Sequence, residues 1–156
     1  MSLLQGSPSL ASVVTPAGDL YTFYYDGQTR ELKLAKTQFK VYETGFKTRS
    51  IPARTGGDIA LSGSMSSSPL AACYWDNDVY LFYVDDQGIL QDVSTHDGTN
   101  WVHGSLGYKN ILMGSNSGLA AVGNPHARVM FTDGSGALIE VRWENKMWNM
   151  EPMHTS

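Results

Sequence analysis

The histidines and the cysteine of this chain are the side chains whose chemistry most often serves metal binding or catalysis. The single cysteine, Cys73, allows no zinc pattern of cysteines and histidines. The histidines are scattered through turns and the tail, and none stands at metal-ligand spacing from another: His96, His103, His126 and His154. The sequence therefore predicts no metal site.

The acidic and glycine-rich segments also lack a catalytic or cofactor-binding signature. The segment DNDVYLFYVDDQG, residues 76–88, is rich in aspartate, but it lacks the spacing of an EF-hand calcium loop and its closing glutamate. The chain contains no G-x-S-x-G nucleophile motif, no phosphate-binding glycine loop and no dinucleotide fingerprint. We therefore predict no catalytic residue and no cofactor.

Composition and charge narrow the class of protein and its partners. A chain of 156 residues, 42% hydrophobic and 17% charged, suits a single globular domain spanning residues 1–156. A net charge of −4 provides no basic surface for phosphates, so nucleic acid and anionic membranes are poor partners. The apolar runs are too short to span a bilayer, and the first residues, MSLLQGSPS, do not resemble a signal peptide. We expect a cytoplasmic protein, or one exported without a signal peptide.

Turn-forming residues separate short apolar runs throughout the chain. Between residues 67 and 104 the runs are β-branched or aromatic, and Asp, Asn and Gly lie between them, as is typical of antiparallel hairpins. No window has the apolar spacing and capping residues of a helix. The sequence therefore predicts an all-β protein, with strands in this segment at Leu70–Tyr74, Val79–Val84, Ile89–Val93 and Trp101–His103.

The same four-strand phrase occurs three times in the sequence. SPSLASVV from Ser7, SSPLAACYW from Ser67 and NSGLAAVG from Asn116 open the three copies, whose leucines are 60 and 49 residues apart. This period is typical of the four-stranded blades of a β-propeller. Each copy ends on a short aromatic run: VYETG, WVHG or MWNM. We predict blade one at about 7–45, a loop at 46–66, blade two at about 67–107 and blade three at about 116–150.

Three blades do not close a ring, because the first and the last blade would each expose an apolar sheet face to water. The simplest solution is a homodimer in which blade three of one copy packs on blade one of the other, which makes a six-bladed β-propeller. An alternative is that the chain is a fragment of a longer tandem array. A twelve-stranded sandwich is a further alternative, but it does not require three copies of one phrase.

The repeated pattern S-x-L-A-A, followed by D-x-x-G-x-L/I-x-E/D and a closing Trp or Tyr, resembles the fungal fucose-specific lectin family. The resemblance covers nearly the whole chain. It implies a six-bladed propeller that binds carbohydrate in pockets between adjacent blades. It also implies that each pocket combines an Arg on the second strand, a Glu on the third strand and an aromatic ring from the next blade.

Carried onto this sequence, the resemblance implies one complete polar pair and two altered ones. Blade three keeps Arg128 and Glu140, with Tyr42 of a second copy as the aromatic partner. In blade one, Glu31 remains, Tyr21 replaces the Arg, and Trp101 is the neighbouring ring. In blade two, the residues are Tyr80 in place of Arg and Asp92 in place of Glu, beside Trp148. We expect the two altered pockets to bind sugar poorly or to prefer a flatter, more apolar ligand.

Other interpretations of these residues remain open. The tryptophans and tyrosines could simply pack between blades, and Arg128 and Glu140 could form a cross-strand ion pair at the surface. An enzyme is a second functional hypothesis: an aromatic pocket could fold a small hydrophobic ligand and assist a cyclisation or an isomerisation. A scaffold that only binds other proteins is the third.

Overall fold

Short β-branched and aromatic runs form antiparallel strands along nearly all of the chain that the structure describes. The computed structural model describes residues 9–26, 28, 32–38, 47–50, 68–114 and 117–153. One turn of 3-10 helix, α1, spans Leu106–Lys109. No helix in these ranges is long and apolar enough to cross a membrane. The strands are β1 Leu10–Val14, β2 Asp19–Tyr25, β3 Leu32–Gln38, β4 Lys47–Ser50, β5 Ala71–Trp75, β6 Asp78–Val84, β7 Leu90–Thr95, β8 Val102–His103, β9 Leu119–Val122, β10 Arg128–Thr132, β11 Leu138–Glu144 and β12 Met147–Pro152.

The strands form three four-stranded antiparallel sheets, each with its strands in sequence order. We call β1–β4 blade one, β5–β8 blade two and β9–β12 blade three. The first strands of the blades, β1, β5 and β9, lie side by side. Their residues line one open groove of about 680 Å³. This radial order confirms the prediction of three propeller blades and excludes the two-layer sandwich.

The turns between strands use residues that tolerate a left-handed backbone. Asp76 and Asn77 have φ values of 50° and 68°, and Asn145 and Lys146 have 54° and 63°, as two-residue type I′ hairpin loops require. The longer β6–β7 loop is closed by Asp85, whose carboxylate accepts hydrogen bonds from two backbone N–H groups of the loop. The abundance of Asp, Asn and Gly in the sequence therefore reflects the hairpin turns.

The end of blade one differs from the sequence prediction. The closing run VYETG at 41–45 lies outside the described residues. β4, Lys47–Ser50, pairs with β3 and falls inside the segment 46–66 that the sequence predicts as a loop. The run Lys-Thr-Arg-Ser carries no apolar signal, because an outer strand needs backbone pairing but little side-chain burial. In blades two and three, the closing strands β8 and β12 contain residues of the predicted runs WVHG and MWNM.

The hydrophobic core lies in two seams between neighbouring blades. Seam one, between blades one and two, buries residues such as Phe23 and Leu81 completely. Seam two, between blades two and three, does the same for Phe82 and Val129. Leu81 and Phe82 are consecutive in β6, so side-chain alternation sends one into each seam. Full burial of such a side chain contributes roughly 1.5–3 kcal/mol, and blade two is therefore fixed from both sides.

Candidate functional site

The strand ladders identify equivalent positions in the three blades. In blade three, Arg128 lies opposite Arg142, and Glu140 lies two residues before Arg142 on the same face of β11. In the other two blades, the residues at the same positions of the strand pairing are one residue of the second strand and two of the third. The equivalent sets are Tyr21, Leu34 and Lys36 in blade one; Tyr80, Asp92 and Ser94 in blade two; and Arg128, Glu140 and Arg142 in blade three.

In blade three, the predicted pair meets on the face that points away from blade two, which we call the open face. Arg128 Nη1 lies 3.6 Å from Glu140 Oε2, and the two side chains are 29% and 13% exposed. Arg128 Nε is buried and makes no hydrogen bond to the part of the chain that the structure describes. A half-covered guanidinium and carboxylate therefore stand side by side where a neighbouring blade would pack.

Arg142 also belongs to this cluster, although the repeated sequence pattern does not predict it. Its Nη1 lies 3.6 Å from Glu140 Oε1, so the carboxylate bridges two guanidinium groups that face each other across the ladder. Like charges opposite each other are unfavourable, and Glu140 relieves that repulsion. Arg142 also pairs with Glu144 at 3.2 Å and with Glu151 at 3.6 Å. Side-chain alternation predicts that Arg142 faces the same side as Glu140, because it follows Glu140 by two positions on one strand.

Two predicted site residues, Glu31 and Tyr42, lie outside the described residues. The ladder of blade one nevertheless shows which residue occupies the position of Glu140. Phe23 pairs with Leu34, as Met130 pairs with Glu140, and Leu34 is 1% exposed. Blade one therefore has an apolar residue, Leu34, at the place where blade three has its carboxylate.

Seam one is filled around Tyr21, which is only 2% exposed. Lys36 Nζ stands 4.9 Å above the centre of the Tyr21 ring and 3.2 Å from an Asp19 carboxylate oxygen. Burial by itself would lower the pKa of Lys36, but the hydrogen bonds to Tyr21 and Asp19 outweigh it and raise that pKa. Trp101 packs edge-on against Phe23, with the ring centres 5.7 Å apart. Tyr21 and Trp101 therefore share this seam as packing residues.

Seam two contains a cavity of about 200 Å³ that brings together Tyr80, Asp92 and Trp148. The sequence predicts that these three residues share one pocket. Further lining comes from Ser94, His103 and Trp143. Trp143 and Trp148 meet with their ring centres 5.3 Å apart at an angle of 67°. The aromatic walls therefore come from both blades, and the polar groups come from blade two.

Asp92 is buried at the side of this cavity and has a structural role as well. Its Oδ1 accepts a hydrogen bond of 2.9 Å from the backbone N–H of Leu106, the first residue of α1. Gly104 lies directly on the carboxylate, where a Cβ atom would overlap it. Burial, followed by the charges of Asp78 and Asp76, raises the pKa of Tyr80 to about 12. Tyr80 is therefore a neutral phenol at physiological pH, and its hydroxyl remains a hydrogen-bond donor.

No group of three or more His, Cys, Asp or Glu side chains in the described ranges is arranged to hold a metal ion. Burial raises the pKa of the Cys73 thiol to about 12, which keeps it protonated at neutral pH.

Comparison with known proteins places this arrangement in a structural context. No family model matches the sequence. A fucose-specific lectin from Aleuria aurantia is 30% identical over 150 residues, an alignment that covers 80% of this chain and 48% of that lectin. The chain is a homologue of the fungal fucose-specific lectins. The chain therefore spans about half the length of the curated relative that it matches.

Solved structures show the same fold for this chain. The six-bladed β-propeller lectin of Aleuria aurantia matches 92% of this chain and 48% of its own length, with a TM-score of 0.67 at 21% identity. AofleA from Arthrobotrys oligospora matches 95% of this chain and 41% of its own length, with a TM-score of 0.73 at 20% identity. Each match covers less than half of the solved chain. This coverage agrees with three blades in this chain, since the Aleuria aurantia lectin has six.

Proposed function

We propose that the protein is a carbohydrate-binding lectin of the fucose type, with its principal sugar site on the open face of blade three. The observation that carries the proposal is the juxtaposition of Arg128 and Glu140, 3.6 Å apart on a half-exposed face. A planar guanidinium donates hydrogen bonds in fixed directions, and a carboxylate accepts them. Together the two groups match a pair of neighbouring hydroxyls on a sugar ring.

The relatives support this ligand class. The homologue from Aleuria aurantia is a fucose-specific lectin, and a variant of that lectin has been solved in complex with α-methyl-L-fucoside. The lectin SapL1, solved in complex with α-methyl fucoside, also shares the fold with this chain, with a TM-score of 0.67. Fucose has an apolar methyl and C–H surface beside its hydroxyls, so an aromatic ring is the natural third component of the site.

We also propose that a second copy of the chain completes this site. The open face of blade three and the outward face of blade one carry exposed apolar side chains: Val122 and Leu138 in blade three, and Leu10 and Val14 in blade one. Leu10 is 65% exposed and Val14 is 53% exposed on the same face of β1, and large exposed apolar side chains that share a face mark an interaction surface. A homodimer of half-rings would cover both faces and make six blades. Tyr42 of the second copy is then our candidate for the aromatic ring.

Calorimetric titration with L-fucose tests the sugar site. We expect saturable binding by the wild-type chain and a loss of roughly ten- to hundredfold in affinity for Arg128→Ala and Glu140→Ala, because each removes a charged hydrogen-bonding group. Lys109→Ala, which removes an exposed cation from α1, is the matched control and should bind normally. Unchanged affinity in both site variants, or no binding of fucose by the wild type, would refute the proposal.

Sedimentation equilibrium tests the assembly separately. We expect twice the mass of the chain, with fucose binding lost on dilution to the monomer. A monomer that still binds fucose would contradict the role of the second copy while leaving the lectin function intact. A dimer that binds no sugar on a glycan array would contradict the lectin function and favour the enzyme alternative.

A further inference from the structure

The cavity in seam two is lined by three aromatic side chains. Trp143 and Trp148 form a corner at 67°, and Tyr80 supplies a further aromatic wall. The cavity volume of about 200 Å³ lies below the range of about 300–1,000 Å³ that is typical of pockets for drug-sized molecules. A ligand of this cavity is therefore a single small head group.

The described lining of the cavity differs in charge from the cluster on blade three. The lining includes the carboxylate of Asp92, and no lysine or arginine is among the described residues that form it. Tyr80 stands where the equivalent position of blade three has Arg128, so the guanidinium is replaced by a neutral ring. Burial, then the charges of Asp78 and Asp76, raises the pKa of Tyr80. The remaining ionisable side chain of the lining is His103.

We propose that the cavity of seam two binds a small organic ammonium ion. The faces of tryptophan and tyrosine rings carry negative charge density that attracts a cation, and tryptophan is the strongest of the aromatic side chains in this respect. The acidic side chain of Asp92 belongs to the same lining and is buried there. An arginine at the position of Tyr80 would repel a cationic ligand, so a neutral ring at this position favours the binding of a cation. This inference does not depend on sugar binding at blade three.

Two sources share this ligand chemistry: a methylated ammonium group and the protonated amine of an amino sugar. The experiment distinguishes them with two pairs of probes, each matched in shape. The first pair is choline and its uncharged isostere 3,3-dimethylbutan-1-ol. The second pair is glucosamine and D-glucose, in which an uncharged hydroxyl replaces the ammonium group. Sodium chloride at equal ionic strength controls for salt effects, and L-fucose serves as a probe for the separate site on blade three.

Tryptophan fluorescence of the full chain is the readout, because Trp143 and Trp148 line the cavity. We expect a saturable change with at least one ammonium probe and at least about tenfold weaker binding of its uncharged partner. Choline as the better ligand identifies a methylated ammonium, and glucosamine identifies an amino sugar. Equal binding of the charged and uncharged partners, or no saturable signal from either cation, would overturn the proposal.

The ligand affinities of variants distinguish a site that binds cations from one that binds any apolar group. Tyr80→Phe keeps the ring and should keep the affinity, whereas Tyr80→Leu should lower it about fivefold or more. Asp92→Asn keeps an oxygen for the Leu106 N–H and removes the charge, so affinity should fall while binding of the uncharged isostere stays the same. Asp86→Asn, on an exposed turn, is the charge-matched control. Full ammonium affinity in both Tyr80→Leu and Asp92→Asn would refute the assignment.

Discussion

Gly98 lies directly against the ring of Tyr21 across seam one. A Cβ atom on Gly98 would come within 2.8 Å of both Tyr21 Cε1 and the Tyr21 hydroxyl oxygen. Gly98 follows β7 of blade two, and Tyr21 lies in β2 of blade one, so this contact joins the two blades. The ring of Tyr21, at the position of the pattern's arginine, is therefore packed against blade two.

Replacing Gly98 with alanine should weaken this seam. Gly98 has a φ of +75°, and its new methyl group would also collide with a ring that is 98% buried by its neighbours, since Tyr21 is 2% exposed. We expect a loss of about 2–4 kcal/mol in the free energy of unfolding, measured by urea denaturation. Gly88→Ala is the control, because Gly88 has a φ of +79° and nothing within 4 Å of its Cβ position. Equal losses in the two variants would show that the contact with Tyr21 contributes nothing.

The repeat pattern was sufficient to predict the propeller blades, because each copy carries its own turn residues and alternating strands. It was not sufficient to predict the role of each side chain in the seams. Asp92 occupies the position of a ligand-binding carboxylate, but its Oδ1 holds the start of α1. That short helix follows blade two and is not part of the repeated phrase. A contact that depends on such an insertion is invisible to a comparison between repeats.

Gly104 offers a test of the structural role of Asp92. A methyl group at Gly104 would overlap the Asp92 carboxylate, which must then move away from the Leu106 N–H. We expect Gly104→Ala to lose about 2–4 kcal/mol of stability through a broken charged hydrogen bond and crowding, measured by urea denaturation. Gly118→Ala, where a Cβ atom meets nothing within 4 Å, should change stability by less than about 0.5 kcal/mol.

Arg142 should assist the proposed sugar site by holding one oxygen of Glu140. Without Arg142, Glu140 can turn both oxygens toward Arg128, and the donors of Arg128 become less available to a ligand. We expect Arg142→Met to weaken fucose binding about two- to tenfold, with a smaller loss for Arg142→Lys. Lys109→Met controls for the loss of one positive charge. Fucose affinity that is unchanged in Arg142→Met would exclude a positioning role.

The exposed apolar side chains of the outer blades should matter for assembly. Val14 of blade one is 53% exposed on the face that we propose to pack against a second copy. Val14→Asp places a charge in that interface and should shift the sedimentation equilibrium toward the monomer. Leu112→Asp is the control, since Leu112 is 67% exposed in the segment between blades two and three. Dissociation by the control alone would indicate that a different surface mediates association.

Asp97 should give the protein a measurable sensitivity to acid. Its carboxylate accepts hydrogen bonds from the backbone N–H groups of Asn100 and Thr99 and from the Asn100 side chain, and these bonds lower the pKa of Asp97. A carboxyl group whose pKa is lower in the folded than in the unfolded state stabilises the fold above the unfolded pKa of about 3.9. That stabilisation is lost as the pH falls toward the folded value.

The lowered pKa of Asp97 predicts how the thermal stabilities of the wild type and of Asp97→Asn differ with pH. The wild type should melt at a higher temperature than the variant at neutral pH, and the difference should shrink progressively below about pH 4. Thermal melting followed by circular dichroism at a series of pH values measures it. Asp86→Asn controls for the removal of one negative charge from an exposed turn. A melting difference that stays constant through the acid range would mean that the charge of Asp97 does not stabilise the loop that carries Gly98 into seam one.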